Sequence, residues 1–246
     1  MTQPQARTAI VTGAGKRVGA VIASALAEQG WSVIAHVHRG EDDVPAGTTK
    51  VVADLADAHC ADAIFGAAAS LPPVRLLVNN AGRFAWDGFG EFSSGGFDAH
   101  MAVNARAPAL LIDRFAREHD VAADALVVNI LDSKIAAPNP DFLSYTLSKQ
   151  ALAGLTELAA RALAARRIRV NAIAPGLMLQ SPGQSDANFA HMHADNPLGR
   201  GVEPADVMGA IDYLIGAACV TGQTIIIDSG QRFMGLERDV QFLGSA

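Results

Sequence analysis

The sequence lacks the features that mark several common classes of protein. It has only two cysteines, Cys60 and Cys219, and they lie far apart. Neither a disulfide framework nor a cysteine-based metal site is therefore indicated, and buried free thiols are expected. No apolar run reaches the roughly 20 residues that cross a bilayer, and the first eight residues lack the apolar core of a signal peptide. These absences predict a protein of the reducing cytoplasm.

Basic and aromatic residues are also scarce. The 19 lysines and arginines are outnumbered by 25 acidic residues, and the net charge of −6 argues against nucleic acid as a partner. Aromatic residues make up 6% of the chain and hydrophobic residues 50%, which predicts a sizeable aliphatic core. The 246 residues contain no Pro/Ser/Gly-rich linker and no low-complexity tract, so residues 1–246 are predicted to form a single domain.

A glycine-rich turn lies near the amino terminus. A short strand, Thr8 to Thr12, is predicted to enter this turn, and a helix that Gly30 closes is predicted to follow it. Glycines let the backbone approach a pyrophosphate, and a helix amino terminus presents free N–H groups to it. This context predicts dinucleotide binding by Gly13, Lys16, Arg17, Val18 and Gly19.

A second group of functional residues lies in the middle of the chain. An apolar run, Ala125 to Ile130, is typical of a buried parallel strand, and a helix is predicted from near Ser144 to about Ala165. Tyr145 and Lys149 are four residues apart and therefore share one face of that helix. An ammonium beside a phenol favours the phenolate, so Lys149 is expected to lower the pKa of Tyr145 and to make it a proton donor near neutral pH.

A third motif, Asn79-Asn80-Ala81-Gly82, lies between these two groups. With all three motifs present, the chain resembles the short-chain dehydrogenase/reductase family over nearly its whole length. The resemblance implies an α/β Rossmann fold, a doubly wound parallel sheet of about seven strands with helices on both faces. It also implies a homodimer or homotetramer, formed through the helix of Tyr145 and the helix before it.

The resemblance assigns further cofactor-binding positions. Asp54, followed by Leu55, matches the aspartate that hydrogen-bonds the adenine amino group; alternatively, Asp54 caps a helix predicted over 56–70. The motif residues Asn80, Ala81 and Gly82 would lie beside the adenosine ribose. Pro175 and Gly176 end a motif whose backbone meets the nicotinamide carboxamide in the family. Asn104, on a helix predicted from Phe97 to about Glu118, matches the asparagine that holds a water connecting the active-site lysine to solvent.

The residues at the end of the second predicted strand indicate which cofactor is bound. This strand, Trp31 to Val37, is followed by His38 and Arg39, where NAD-dependent proteins usually carry an acidic residue. The planar guanidinium of Arg39 can pair with a phosphate. The sequence therefore predicts NADPH as the cofactor, with His38 and Arg39 near its ribose phosphate.

The most informative departure from the family pattern is Asp132. The family's serine stands thirteen residues before the tyrosine, and 145 − 13 gives Asp132, with Ser133 one residue off. An ionised carboxylate only accepts hydrogen bonds, which suits the N–H and amino donors of a pterin better than a carbonyl. Alternatively, Asp132 is protonated and joins a proton relay with Tyr145, or a local bulge returns Ser133 to the serine's role.

Two other residues match the pteridine reductase branch of the family. Arg17 replaces the middle glycine of the turn, and Phe84 stands where an aromatic ring stacks on the pterin in that branch. The alternatives are a solvated arginine and a loop phenylalanine, with Trp86 and Phe89 competing for the stacking role. Residues 177–200 lack periodicity and are predicted to form a mobile substrate lid. His191 and His193 lie within it, without a pattern that indicates a metal.

Together these residues predict a reductase that transfers hydride from NADPH to the C=N bond of a pterin or dihydropterin. Tyr145, Lys149, Asp132 and Asn104 would be catalytic, and Arg17, Phe84, Asp132 and Tyr145 would contact the substrate. Two alternatives remain open at this point. One is an NADPH-dependent carbonyl reductase acting on a 3-oxoacyl thioester, a sugar or a polyol. The other is a non-catalytic NADP(H)-binding sensor.

Overall fold

The computed structural model describes residues 6–121 and 123–243. Its centre is a parallel sheet of seven strands in the order β3-β2-β1-β4-β5-β6-β7. This confirms the predicted doubly wound sheet. The strands are β1 Thr8–Val11, β2 Ser32–Val37, β3 Thr49–Val52, β4 Val74–Asn79, β5 Ala125–Ile130, β6 Ile168–Pro175 and β7 Thr224–Ile227.

Helices connect the strands and cover both faces of the sheet. They are α1 Arg17–Glu28, α2 Cys60–Gly66, α3 Ser94–Met101, α4 Ala107–Glu118, α5 Leu143–Leu163, α6 Asp186–Ala194 and α7 Pro204–Gly216. A π-helical turn, Ala102–Arg106, joins α3 to α4. Short 3-10 turns occur at Ser133–Ile135, Ala164–Arg166, Gln231–Met234 and Val240–Phe242.

Each face of the sheet has its own hydrophobic core, because successive side chains of a strand point to opposite faces. On β1, Ala9 and Val11 belong to the core under α1 and α7, whereas Ile10 belongs to the core under α2, α4 and α5. All three side chains are fully buried. This burial on both faces explains why the central strands are continuous apolar runs in the sequence.

The strand order reverses between β1 and β4. β1 pairs with β2 on one side and with β4 on the other, and the chain leaves all three strands at the same edge of the sheet. In open parallel sheets, a crevice for ligands forms at this point, outside the carboxyl ends of the strands. The predicted cofactor and substrate residues lie along this edge.

Two helices differ from their predicted extents. The helix expected over 56–70 begins only at Cys60, and Asp54 instead accepts a hydrogen bond from the Ala56 N–H (2.8 Å) in a tight turn. The alternative that made Asp54 a helix cap is therefore wrong. The long helix expected over 97–118 is interrupted by the π-helical turn, which sequence periodicity does not indicate.

The carboxyl-terminal third also contains structure that the sequence did not indicate. The aperiodic stretch 177–200 includes α6, and the segment after β7 forms 3-10 turns at Gln231–Met234 and Val240–Phe242. Residues 244–246 lie outside the described residues. Across the residues that are described, no helix is long and apolar enough to cross a membrane.

Candidate active site

A cleft of about 1010 Å³ lies at the carboxyl ends of the strands. The glycine-rich turn and the residues that follow β2, β4, β5 and β6 line it. All the predicted cofactor-binding and substrate-binding residues line this cleft, including Arg17, Arg39, Asp54, Phe84, Asp132, Tyr145, Lys149, Pro175 and Gly176, whereas the catalytic candidate Asn104 does not. One continuous space therefore joins residues that the sequence spreads over more than 160 positions.

The glycine-rich turn has the close packing that a dinucleotide site requires. A Cβ on Gly19 would overlap the carbonyl oxygen of Gly13, so only glycine lets α1 approach the turn this closely. The amino terminus of α1 opens into the cleft and supplies N–H groups suited to a pyrophosphate. Arg17 has a φ of 54°, a left-handed conformation that costs about 1–2 kcal/mol in a non-glycine residue. Replacing the middle glycine of the turn with Arg17 therefore places a non-glycine residue in a strained backbone conformation.

His36 supports this turn, and sequence reasoning gave it no role. Its Nδ1 accepts a hydrogen bond from the Gly13 N–H (3.2 Å), and its Nε2 bonds to the Ala53 carbonyl oxygen (3.0 Å). Burial lowers the pKa of His36, so the neutral ring with its proton on Nε2 satisfies both contacts. A histidine in a strand of buried residues was the signal that could have identified it.

The end of β2 carries the predicted selectivity residues. Arg39 is exposed at the edge of the cleft, and its backbone N–H donates to Asp42 Oδ2 (3.2 Å). His38 lies nearby, with its Nδ1 3.9 Å from Asp54 Oδ1. The Arg39 side chain therefore lines the cleft, and its planar guanidinium is a group that can pair with a phosphate.

The Asn79-Asn80-Ala81-Gly82 motif at the end of β4 is hydrogen-bonded directly to the end of β1. Asn80 Nδ2 donates to the Thr12 carbonyl oxygen (2.8 Å), and Thr12 Oγ1 accepts from the N–H groups of Asn80 and Ala81 (3.0 Å each). These bonds fix the two strand ends on either side of the crevice. The Gly82 backbone lies beyond them, at the cleft surface.

Tyr145 and Asp132 are in direct contact. The Tyr145 hydroxyl donates to Asp132 Oδ2 (2.8 Å), while Asp132 Oδ1 accepts from the Lys134 N–H (2.9 Å) at the start of a 3-10 turn. The structure thus brings Asp132, rather than Ser133, to the tyrosine. Residue counting identified this position correctly.

The pKa of Tyr145 differs from the sequence expectation. Burial and the neighbouring Asp132 carboxylate raise it well above its ordinary value, so the prediction that Lys149 lowers it is wrong in this structure. The Lys149 ammonium bonds instead to the Ile130 carbonyl oxygen (2.7 Å), and burial lowers the pKa of Lys149 to about 8. Burial also raises the pKa of Asp132. Tyr145 is consequently held as a neutral phenol that carries its proton.

Asn104 lies within the π-helical turn and is fully buried. Its Oδ1 accepts from the Arg83 N–H (2.7 Å), and its Nδ2 donates to the Arg83 carbonyl oxygen (2.9 Å) and to Ser148 Oγ (2.8 Å). Asn104 therefore connects the loop after β4 to the helix that carries Tyr145 and Lys149. Both the oxygen and the nitrogen of its side-chain amide are hydrogen-bonded to protein atoms.

The start of α5 depends on the loop after β4. Phe142, just before the helix, has a left-handed φ of 55° and provides no side-chain cap. Asp87 caps the helix instead: its Oδ1 accepts from the Ser144 N–H (2.9 Å), and its Oδ2 accepts from the Ser144 hydroxyl. This aspartate fixes the turn that presents Tyr145, and the sequence gave no sign of it.

Phe84 lies beside Tyr145, in the part of the cleft that is predicted to bind the substrate and is here called the substrate end. It stacks on Phe142 with ring centres 4.2 Å apart, and it is perpendicular to the Tyr145 ring, with ring centres 4.8 Å apart. Its competitors Trp86 and Phe89 are 44% and 84% exposed and do not line the cleft. Arg17 also lines the cleft and donates from Nη1 to the Gln180 carbonyl oxygen (3.1 Å).

The carboxyl-terminal segment also reaches the substrate end of the cleft, and sequence reasoning missed it. Arg238 forms a two-bond ion pair with Asp141 (2.7 and 2.9 Å), and Lys134 bonds to Asp239 (3.0 Å). These partners lie about 100 positions apart in the sequence, so no local pattern could reveal the contacts. Among the described residues, no cluster of His, Cys, Asp and Glu could hold a metal ion, His191 and His193 included.

The fold and the cleft together define a class of protein, and comparison with known sequences agrees. Residues 13–232 match a family model described as enoyl-(acyl carrier protein) reductase. That span covers most of the chain, and the protein belongs to the short-chain dehydrogenase/reductase family, as the resemblance implied. It is an oxidoreductase of that family.

Individual relatives suggest more than one substrate class. The chain is 31% identical to pteridine reductase 1 from Leishmania tarentolae, covering 93% of this chain and 97% of the relative. It is 32% identical to L-xylulose reductase from Bos taurus, covering 91% and 96%. Among solved structures, FolM alternative dihydrofolate reductase 1 from Brucella canis, complexed with NADP, superposes with a TM-score of 0.87 at 36% identity, covering 92% and 94%.

Proposed function

We propose that this protein transfers hydride from NADPH to the C=N bond of a pterin or dihydropterin. The observation that carries the proposal is the contact between Asp132 and Tyr145 beside the ring of Phe84. A flat heterocycle stacked on Phe84 would meet a proton donor and a carboxyl group together. The similarity to pteridine reductase 1 and to FolM supports this substrate class.

NADPH would bind in the part of the cleft lined by the glycine-rich turn, here called the cofactor end, and would supply the hydride. The turn residues Gly13, Lys16, Val18 and Gly19 would hold its pyrophosphate, and His38 and Arg39 its ribose phosphate. Asp54 and Leu55 would border the adenine, with Asn80, Ala81 and Gly82 along the adenosine ribose. The backbone of Pro175 and Gly176 would meet the nicotinamide end. The NADP in the Brucella canis structure supports this choice of cofactor.

The proton for the substrate nitrogen would come from the Tyr145 hydroxyl. Because its raised pKa keeps Tyr145 neutral, the phenol carries the proton that the reaction consumes. Asp132, with its own pKa raised, would pass a proton to Tyr145 in turn, so that the phenolate does not persist. Lys149 would stabilise the developing phenolate charge, and Asn104 would position the loop beside it.

The remaining parts of the chain would support this reaction. Residues 1–246 would act as one domain, and residues 177–200 would close over the substrate, since Arg17 already bonds to Gln180 in that segment. Leu147 and Leu158 of α5 are 40% and 69% exposed, which suits burial against a second copy in a homodimer or homotetramer.

A second candidate is an NADPH-dependent carbonyl reductase, which the similarity to L-xylulose reductase favours. Tyr145 and Lys149 would serve that reaction equally well. Asp132 argues against it, because this carboxyl group replaces the serine of the general family pattern.

The test compares NADPH oxidation with dihydromonapterin or dihydrobiopterin against simple ketones, sugars and acetoacetyl thioesters. We expect turnover of the pterins, and we expect Asp132→Ser to lower kcat/KM for them by about a hundredfold, as loss of a proton-transfer group does. The dissociation constant for NADPH should change by less than about twofold. Turnover of carbonyl compounds alone, or full pterin turnover by Asp132→Ser, would reject the proposal.

A further inference from the structure

The segment 236–243 returns from the end of the sheet to the substrate end of the cleft. Leu236, Asp239 and Val240 line the cleft wall. The segment is anchored at Asp141, whose carboxylate accepts two bonds from the Arg238 guanidinium and one from the Asp239 N–H (2.8 Å). Phe242 adds a stacked contact to Phe142, with ring centres 6.0 Å apart. These contacts hold the segment in place as one wall of the cleft.

Lys134 connects this wall to the reacting groups. Its backbone N–H donates to Asp132 Oδ1, and its buried ammonium donates to the Asp141 carbonyl oxygen (2.7 Å) and to Asp239 Oδ2 (3.0 Å). A single residue thus contacts Asp132 on one side and Asp239 on the other. The Asp239 carboxylate is therefore held at a set position beside the catalytic contact.

The Asp239 carboxylate keeps acceptor capacity beyond these bonds. Its Oδ1 accepts from the Gln241 N–H (3.1 Å) and its Oδ2 from Lys134, whereas a carboxylate has about four acceptor positions. Its side chain is 15% exposed, and it lines the cleft. The anchor at Asp141 uses the Asp239 backbone, so the segment is held largely without this carboxylate.

We propose that Asp239 is a specificity-determining residue of the substrate site, whose carboxylate accepts hydrogen bonds from donor groups of the substrate. The matching donors are the amino and ring N–H groups of a pterin or the hydroxyls of its side chain. This inference rests on the proposed pterin reduction. It also implies that a neutral, donor-rich substrate binds better than one that places an anionic group against this wall.

The test compares Asp239→Asn with Glu237→Gln. Glu237 carries the same charge two residues earlier in the segment, but it is exposed and does not line the cleft. We expect Asp239→Asn to raise KM for dihydromonapterin about tenfold to a hundredfold, the range for a hydrogen bond to a charged group. Its kcat should change by less than about threefold, and its NADPH dissociation constant should not change. Glu237→Gln should match the wild type throughout.

A third variant separates recognition from anchoring. Arg238→Gln weakens the anchor at Asp141 but leaves the Asp239 carboxylate in place. If Arg238→Gln raises KM as much as Asp239→Asn does, the effect belongs to the anchor and the inference is overturned. An unchanged KM in Asp239→Asn would overturn it equally.

The substrate panel shows which donors are recognised and keeps this test apart from that of the proposed function. The informative substrate is a dihydropterin with a methyl group in place of the hydroxylated side chain. With this substrate, Asp239→Asn should no longer raise KM if the hydroxyls are recognised, and should still raise KM if the ring donors are recognised. If the wild type reduces only carbonyl compounds, the pterin proposal fails. The same variants are then measured with the best carbonyl substrate. A rise in KM in Asp239→Asn alone would support the role of Asp239 in specificity, and equal KM values in all the variants would reject it.

Discussion

The two ends of the cleft are stabilised by different kinds of interaction. At the cofactor end, neutral groups hold the glycine-rich turn: Thr12, His36 and Asn80 bond to backbone atoms at the ends of β1, β3 and β4. These bonds join neighbouring strands and follow directly from the sheet. The backbone geometry of the cofactor end therefore follows directly from the pairing of strands in the sheet.

At the substrate end, charged groups hold segments that lie far apart in the sequence. Lys134, Asp141, Arg238 and Asp239 form one network between the turn after Asp132 and the carboxyl-terminal segment. Partly buried ion pairs add little net stability, because desolvation offsets much of their attraction. Substitutions in this network are therefore expected to alter the substrate end of the cleft and to leave the cofactor end unchanged.

The largest effect is expected at Tyr145, where a substitution should lower kcat without altering the binding of NADPH. Tyr145→Phe removes the proposed proton donor but keeps the ring against Phe84, so kcat should fall about a thousandfold or more while NADPH binding persists. Steady-state NADPH oxidation and a fluorescence titration measure the two quantities. Tyr213→Phe, an exposed tyrosine on α7, serves as the control. Substantial turnover by Tyr145→Phe would remove Tyr145 from the reaction.

The pH dependence of the reaction tests Lys149. Because burial lowers its pKa to about 8, Lys149 loses its charge as the pH rises through about 8. If the ammonium stabilises the phenolate, kcat/KM should decline above that pH. An arginine stays protonated well above this range, so in Lys149→Arg the decline should disappear from the region near pH 8. An identical decline in both proteins would assign it to another group.

A smaller effect is expected at the cofactor end. Arg39→Ala removes the planar donor group expected to bind the ribose phosphate, so KM for NADPH should rise about tenfold to a hundredfold. KM for NADH, which lacks the phosphate, should stay within about twofold. Arg117→Ala, an exposed cation on α4 outside the cleft, is the control. Equal losses with both cofactors would contradict phosphate recognition by Arg39.

The smallest effect compares a partly buried ion pair with an exposed one. Asp141→Asn breaks the two-bond pair with Arg238, which is itself 51% exposed, and should cost about 1 kcal/mol or less. That corresponds to a decrease in Tm of up to about 2–4 °C in a chain of this size. Asp124→Asn, in a pair exposed on both sides, should leave Tm unchanged. Equal shifts would show that the network at the substrate end contributes no more than a surface pair.

The sheet and the cofactor end could be predicted from the sequence because their signals are local. Apolar strand runs, the glycine-rich turn and the Asn80 motif each span a few neighbouring residues. Counting from Tyr145 also identified Asp132. The pKa of Tyr145 could not be predicted, because it depends on a contact with Asp132 rather than on the helical spacing to Lys149.

The substrate end could be predicted only in part. Phe84 and Arg17 were found through the resemblance, since each occupies a fixed distance from a motif. Asp239 and Arg238 carry no such signal, because their partners Lys134 and Asp141 lie about 100 positions away. The break in the predicted helix at Asn104 was missed because a π-helical turn preserves helical composition and alters only the hydrogen-bond spacing.

The cap that Asp87 provides to α5 has a consequence for the order in which the chain folds. Because the cap lies 57 residues before Ser144, the first turn of α5 is complete only after the loop that follows β4 has docked. The Ser144 amide should therefore gain protection from hydrogen exchange together with that loop rather than with the middle of the helix. Tyr145, the proposed proton donor, lies in the same turn, so we expect catalytic activity to appear only when this part of the fold is complete.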